Sequence, residues 1–172
     1  TMMVWYEMPL MVVLIVPILV GALVGLLNAL LIVRIRIPDL LATLAAMYIA
    51  NGIHKTYTKG YSIYNNMPLS DGSTAPGTMR EDFLWIGQGK LFGVPFPVIL
   101  MLIAVIVMHL FFKYTRWGRQ LIMTGGNEEA SRLSGLRVKR VRTYAYIASG
   151  IFAAIGGILF AARIGSGQID AG

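Results

Sequence analysis

The chain has 172 residues, of which 56% are hydrophobic and 13% are charged, with no cysteine and a formal net charge of +7. Soluble domains contain about 45–50% apolar and about 25% charged residues, so this chain is too apolar and too poor in charge for an ordinary soluble domain. A disordered chain needs low hydrophobicity and high charge, so that class is excluded as well. The lack of cysteine excludes disulfide scaffolds, thiolate zinc sites and cysteine nucleophiles.

Three long runs of residues without formal charge predict membrane-spanning helices. A helix needs about 20 apolar residues to cross the hydrocarbon core of a bilayer, and each run supplies that length. The first run also carries Gly21 and Gly25 at four-residue spacing, and the last run is rich in Gly and Ala, which favours close packing between helices. The predicted spans are about residues 9–33, 94–113 and 143–163.

A fourth segment, at about residues 37–54, is a weaker candidate. Pro38 suits the start of a helix, and Asn51 followed by Gly52 suggests its end. A helix between those points is about 21 Å long, which is shorter than the roughly 30 Å hydrocarbon core. The segment therefore predicts a short or broken membrane helix, and an amphipathic helix on the membrane surface is the alternative.

The basic residues predict the topology. Arg34 and Arg36 follow the span 9–33. The link between the spans 94–113 and 143–163 carries eight more Lys and Arg residues. The positive-inside rule places both links in the cytoplasm, so that four crossings leave both chain ends outside. Residues 114–142 are then a cytoplasmic loop and residues 55–93 an outer loop. Because these charges flank spans and no nucleic-acid motif is present, we expect a lipid bilayer as the partner and no nucleic acid.

The two loops differ in character. In the outer loop, the stretch 83–97 mixes aromatic residues with Gly and Pro, which predicts an ordered cover at the membrane surface. Its Gly89-Lys90 pair is not a phosphate loop, because Leu84 and Leu91 stand where that motif needs Gly and Ser or Thr. The chain therefore has no nucleotide-binding motif of its own.

The inner loop predicts a short helix over Glu128–Ser134. Asn127 is a suitable N-cap, two glutamates follow it in the first turn, and Gly135 suits the position after the last helical residue. A helix of about seven residues is marginal alone in water, so it needs something to dock against. A solvated turn is the alternative.

No pattern of catalytic residues is present. His109 lies inside the third span without an acidic partner in the sequence, and His54 lies at an outer interface. Neither a His-x-x-Glu-His nor a Gly-x-Ser-x-Gly pattern occurs. We therefore predict no catalytic residue, no metal site and no cofactor, and the chain is not expected to be an enzyme.

Three stretches carry a resemblance to a known family, the permease subunits of bacterial ABC importers of the ribose, xylose and autoinducer type. Together they cover nearly the whole chain, and the third is the most specific. The stretches are Gly25–Val33 continuing through Arg36-Ile37-Pro38 to Ala42-Thr43-Leu44; Gly87-x-Gly89 with Gly93-Val94-Pro95-x-Pro97; and Gly118-Arg119 followed by Gly125-Gly126-Asn127-Glu128-Glu129-Ala130-x-Arg132-Leu133-Ser134-Gly135, Ser149-Gly150 and Arg163-Ile164-Gly165-Ser166-Gly167.

The resemblance implies an all-α polytopic protein of the bacterial inner membrane. It implies pairing with a second permease subunit (identical or different), two ATPase subunits and an external solute-binding protein. It also assigns the short inner helix as the coupling helix that sits in a cleft of the ATPase. Family members are about twice as long, so the resemblance implies an incomplete subunit. We name the corresponding residues the coupling segment: Asn127, Glu128, Glu129, Ala130, Ser131, Arg132, Leu133, Ser134 and Gly135.

The implied function is import of a small polar solute, a monosaccharide or related compound, by ATP-driven alternating access. The sequence does not name the solute. A passive channel or a non-transporting membrane assembly subunit is the alternative. Intramembrane polar residues usually have a role, although helix packing explains Asn28 equally well. The candidate translocation-path residues are Asn28, Thr43, Ala46, Ala50 and Asn51.

Overall fold

A computed structural model of the chain describes residue 6 and residues 8–58, 63–64, 81–91 and 93–167. Most of these residues are helical, which confirms the all-α polytopic class. The helices are α1 Leu10–Ala29, α2 Asp39–Thr58, α3 Glu81–Gln88, α4 Phe96–Tyr114, α5 Arg116–Gly126, α6 Glu128–Leu133 and α7 Val138–Ile164. The strands are β1 Ile63–Tyr64, β2 Lys90–Leu91, β3 Val94–Pro95 and β4 Ser166–Gly167, which pair antiparallel as β1 with β4 and β2 with β3.

Three helices in the described part of the chain are long and apolar enough to cross a membrane: Leu10–Arg34, Phe96–Tyr114 and Val138–Ile164. They coincide with the three uncharged runs of the sequence. The last one begins five residues before the predicted position 143, because charged residues at a membrane interface do not interrupt a helix. The fourth crossing stays a prediction.

The core of the molecule is the antiparallel pair of α1 and α7, which meet backbone to backbone. A Cβ atom on Gly21 would lie 2.8 Å from the Cβ of Ala154, and one on Gly25 would lie 2.9 Å from the Cα of Ile147. From the other side, Gly150 faces the backbone of Gly21. The close packing predicted from the spacing of Gly21 and Gly25 is therefore confirmed.

Helix α2 corrects the prediction of a short or broken helix ending at Asn51-Gly52. It is 20 residues long and continues to Thr58, which gives about 30 Å at 1.5 Å per residue. Glycine weakens a helix, and it commonly ends one by adopting a positive φ. Gly52 is not among the positive-φ glycines of the described residues, so the helix continues through it. The side chain of Thr56 also bonds to the Gly52 carbonyl at 2.8 Å.

The two ends of α2 reach opposite ends of the α1–α7 pair. Asp39, its first residue, contacts Arg142 near the start of α7. Near its other end, the hydroxyl of Tyr57 donates to the hydroxyl of Tyr6, shortly before α1 begins, at 3.0 Å. Helix α2 therefore runs along the pair for the length of the pair, which is the placement that a fourth crossing needs.

The link from α1 to α2 departs from regular helix geometry. The last turn of α1 continues as a π-helical turn over Leu30–Arg34. Arg36 then adopts a φ of +67°, which is uncommon for a residue other than glycine. These two features set the direction of α2 independently of α1.

At the end opposite Asp39, α3 covers the tips of α1 and α7. The Phe83 ring is buried next to Ala162, and the Gln88 amide donates to the Arg163 carbonyl at 3.1 Å. Trp85 packs against Phe96 with 5.0 Å between the ring centroids. The expected cover within 83–97 is therefore ordered, as a helix and a hairpin. Residues 59–62, 65–80 and 92 of the predicted outer loop lie outside the described residues.

Candidate functional site

The coupling segment forms a short capped helix. The Asn127 Oδ1 atom accepts a hydrogen bond from the Ala130 backbone N–H at 2.9 Å, so the predicted N-cap is confirmed. Gly135 has a φ of +81°, as the position after a helix requires. Helix α6 ends at Leu133, one residue before the predicted Ser134, whose hydroxyl instead bonds to the Ala130 carbonyl at 2.9 Å.

One side of this helix is packed and the other is exposed. Ser131 is only 3% exposed, whereas Leu133 is 83% exposed. An apolar side chain so open at the tip of a short helix contributes nothing to the fold of the described chain. The helix therefore presents Leu133 outward from an anchored base.

The helix is anchored by an ionic cluster that joins three elements. The Arg142 guanidinium of α7 donates through Nη1 to the Glu128 carboxylate of α6 at 2.9 Å. Its Nη2 lies 3.2 Å from both Asp39 carboxylate oxygens at the start of α2. The Tyr146 hydroxyl, one turn further along α7, donates to the same carboxylate at 2.7 Å. We call Asp39, Glu128, Arg142 and Tyr146 the Arg142 cluster.

Two cavities border the Arg142 cluster. One, of about 470 Å³, is lined by all four cluster residues and by Thr124, whose buried Oγ1 has no hydrogen-bond partner among the described residues. The other is a groove of about 780 Å³ that contains six basic and two acidic side chains. Arg36 of the α1–α2 link and Arg132 of the coupling segment line it together. The two basic links therefore share one end of the molecule, and the side of the membrane on which that end lies stays a prediction.

The candidate path residues have different surroundings. The Asn28 Oδ1 atom is buried and has no hydrogen-bond partner in the part of the chain that is described. The Thr43 hydroxyl bonds to the Asp39 carbonyl of its own helix at 2.9 Å. Thr43 and Ala50 are exposed, whereas Ala46 and Asn51 are partly buried. Their role in a translocation path stays a prediction.

Comparison with known proteins decides the family. The family described as branched-chain amino acid transport system, permease component, matches residues 1–172. The chain belongs to this family. The resemblance seen in the sequence is thereby confirmed. Membership and the three apolar helices place the chain in the bacterial inner membrane as a multi-pass protein. No solved structure was found to match it.

Three curated relatives of this permease family member are permease proteins named for sugars. It is 34% identical to the ribose import permease protein RbsC of Escherichia coli, over 88% of this chain and 44% of the relative. It is 37% identical to the L-arabinose transport system permease protein AraH of the same organism, over 82% and 39%. It is 33% identical to the galactose/methyl galactoside import permease protein MglC, also of Escherichia coli, over 96% and 47%. The chain thus spans about half the length of the curated relatives it matches.

Two features of this permease site were missed from the sequence. The predicted loop 114–142 contains helix α5, whose N-cap is Thr115: its hydroxyl accepts from the Gly118 N–H at 3.0 Å. A threonine followed by an amphipathic stretch was the available signal. The Arg142 cluster had no local signal, because Arg142 and Asp39 are 103 residues apart in the chain.

Proposed function

We propose that the chain is the membrane-embedded part of a permease subunit of an ABC importer. It forms part of the path for a small polar solute, a monosaccharide or a related compound, and works by ATP-driven alternating access. Its partners are a separate ATPase subunit that hydrolyses ATP, a second permease subunit that is identical or different, and an external solute-binding protein. Family membership and the ribose, L-arabinose and galactose named in its relatives support this proposal.

The observation that carries the proposal is the form of α6. A helix of six residues is marginal alone in water. This one is held by the buried Ser131 and by the bond from Arg142 to Glu128, while Leu133 stands 83% exposed. An anchored helix with a free apolar tip fits a cleft in a partner, where a buried apolar anchor contributes strongly to binding. A passive channel has no use for such a projection, so the geometry favours the importer.

The basic groove beside α6 supports a cytoplasmic position for this end. Six basic side chains line the groove, and they come from both links that the positive-inside rule assigns to the cytoplasm. The ATPase of an importer hydrolyses cytoplasmic ATP, so the docking helix must be on that side. The charge pattern and the proposed docking role therefore agree.

Truncating the exposed tip tests the docking role. In the full-length subunit, Leu133→Ala is expected to lower the affinity for the cognate ATPase about tenfold or more, because it removes the central apolar anchor. The measurement is copurification of the ATPase over a range of ATPase concentrations. Leu102→Ala is the control, since Leu102 is a 53% exposed leucine in the middle of α4, far along the chain from α6.

Undiminished ATPase binding and undiminished solute-stimulated ATP hydrolysis in Leu133→Ala would contradict the docking role. The sugar assignment has a separate test, which is uptake of labelled pentoses and hexoses by cells that carry the full transporter. Uptake of a labelled sugar, together with its binding to the cognate solute-binding protein in competition with the same unlabelled sugar, would support the assignment. Uptake of other solutes only would contradict it.

A further inference from the structure

One guanidinium joins the coupling segment to the start of helix α2. Each terminal nitrogen of Arg142 contacts a different element: Nη1 contacts Glu128, the first residue of α6, and Nη2 contacts Asp39, the first residue of α2. The planar, forked guanidinium can hold two carboxylates at once, which the single ammonium of lysine cannot do with the same geometry. Arg142 therefore fixes the start of α2 relative to the start of α6.

Much of the rest of α2 is exposed in the described part of the chain. Only Ala42 and Thr58 are buried along its 20 residues. The large apolar side chains Leu40, Leu41 and Tyr48 are 59–70% exposed, so they add little packing against the described chain. The Arg142 cluster is therefore the main polar attachment of α2 at this end.

The link before Asp39 allows α2 to change direction. It contains the π-helical turn Leu30–Arg34 and the left-handed Arg36 at φ +67°. Irregular turns of this kind within helices often occur at functional sites and hinges. A displacement of Asp39 can be absorbed here without disturbing the packing of α1 on α7.

The contacts of Arg142 are suited to rearrangement. The side chains of Asp39 and Glu128 are 59% and 57% exposed, and that of Arg142 is 28% exposed. Water can solvate either carboxylate when its bond to Arg142 opens, so the contact is cheap to break and to reform.

We propose that Arg142 is the positioning residue that transmits displacement of the coupling segment to α2, and thereby couples ATP hydrolysis to opening of the solute path. The inference rests on the proposed function, because it takes α6 to be the part that the ATPase moves. In this mechanism displacement of Glu128 moves the Arg142 side chain, and Arg142 in turn moves Asp39 and the start of α2. Arg142 acts through these carboxylates and does not contact the solute.

The test uses the full-length subunit assembled with its ATPase and its solute-binding protein in lipid vesicles. Solute uptake and ATP hydrolysis are measured in the same vesicles, and ATPase copurification is measured separately. Arg142→Gln is expected to retain the ATPase while the solute moved per ATP falls about tenfold or more, the size of a typical coupling between two sites. Arg116→Gln changes an exposed arginine of α5 that lines neither of the two cavities at the Arg142 cluster, so it is the control and is expected to keep the wild-type ratio.

Two further variants distinguish loss of the proposed relay from a general loss of folded subunit. Asp39→Asn and Glu128→Gln each break one half of the relay and leave Arg142 in place, so each alone is expected to lower the ratio of uptake to hydrolysis. In combination with Arg142→Gln neither should lower it further, since residues that act as one unit give non-additive effects. Rescue by Arg142→Lys should be partial, because an ammonium cannot hold both carboxylates in the same geometry.

Three results would overturn the relay while leaving the proposed function standing. One is a wild-type ratio of uptake to hydrolysis in Arg142→Gln. Another is additive loss in the double variants. The third is loss of uptake only in proportion to loss of ATPase copurification, which would make Arg142 a merely structural residue. By contrast, failure of the wild-type subunit to bind the ATPase would overturn the proposed function itself.

Discussion

The α1–α7 pair and the elements around the Arg142 cluster are held together in different ways. In the pair, Gly21 and Gly25 lie so close to α7 that a Cβ on either would collide with its backbone. Around the cluster, α2 and α6 are joined to α7 through side chains that are partly exposed to water. The first contact tolerates no added atom, and the second can open and reform.

This difference separates a part of the molecule fixed by close backbone contact from a part held by partly exposed ion pairs. Close helix packing fixes distance and register, because added volume forces backbone shifts. Exposed ion pairs contribute little net stability but define a preferred arrangement. Substitutions in the two parts should therefore change the stability of the subunit by different amounts. Equal changes would contradict the difference between them.

The largest effect is expected in the pair. Gly150→Leu places a side chain against the Gly21 backbone, so it should lower the free energy of unfolding by about 3 kcal/mol or more and prevent recovery of folded subunit. Gly156→Leu is the control on the same helix, since no atom of the described residues lies within 4 Å of a Cβ there. The measurement is the yield of monodisperse full-length subunit after detergent extraction, with thermal unfolding of what is recovered. Equal yields for the two variants would contradict the close contact.

The cap of the coupling segment should give an intermediate effect. Asn127→Ala removes the hydrogen bond to the Ala130 N–H and should destabilise α6 by about 1 kcal/mol. Hydrogen exchange of the α6 amides in the full-length subunit is the measurement, and faster exchange confined to that segment is expected. Asn127→Asp keeps an acceptor at the cap and should exchange like wild type. Uniform exchange in all three proteins would show that the cap does not hold the helix.

Replacement of the glycine inside α2 by alanine should stabilise this helix. Gly52→Ala should raise the stability of α2 by about 0.5–1 kcal/mol, because Gly52 lies inside the helix and a Cβ there meets no atom within 4 Å in the part of the chain that the structure describes. Gly165→Ala should have the opposite sign, since Gly165 ends α7 at a φ of +68°. Thermal unfolding of both variants is the measurement. Destabilisation by Gly52→Ala would mean that α2 ends at Asn51 after all.

The smallest effect on stability is expected at the Arg142 cluster. Arg142→Gln should lower the free energy of unfolding by less than about 1 kcal/mol, because both carboxylates are more than half exposed and stay hydrated. Thermal unfolding of the purified full-length subunit measures this. A loss comparable to that of Gly150→Leu would place the cluster in the fixed part of the molecule and remove the contrast.

Uncharged apolar runs predicted the three long helices well. The three uncharged runs became α1, α4 and α7, because a run of about 20 apolar residues has few alternatives to a helix in lipid. The cap at Asn127 and the turn at Gly135 were also readable, since each follows from the local needs of a helix end. These features depend on residues that are neighbours in the chain.

Features that depend on distant residues or on tertiary context were not readable. The spacing of Gly21 and Gly25 predicted a close contact but could not select Gly150 over Gly156, because both lie in a run of small residues. Gly52 resembled a helix end until its backbone geometry was known. The left-handed Arg36 has no sequence signature.

The candidate site divides along the same line. The sequence located the short helix after Asn127 because its cap, charges and final glycine lie close together in the chain. It gave no indication that Arg142 would join Glu128 to Asp39, since those contacts span 14 and 103 residues. Three-dimensional placement was needed to show that the short helix α6 and the helix α2 share one guanidinium.

The most direct test of the account is photo-cross-linking in the assembled full-length transporter. A photoreactive amino acid at position 133, on the exposed tip of α6, is expected to form an adduct with the ATPase subunit. The same amino acid at position 85 of α3, at the opposite end of the molecule, is expected to form none. No ATPase adduct from position 133, or equal adducts from both positions, would contradict the claim that this end docks the ATPase.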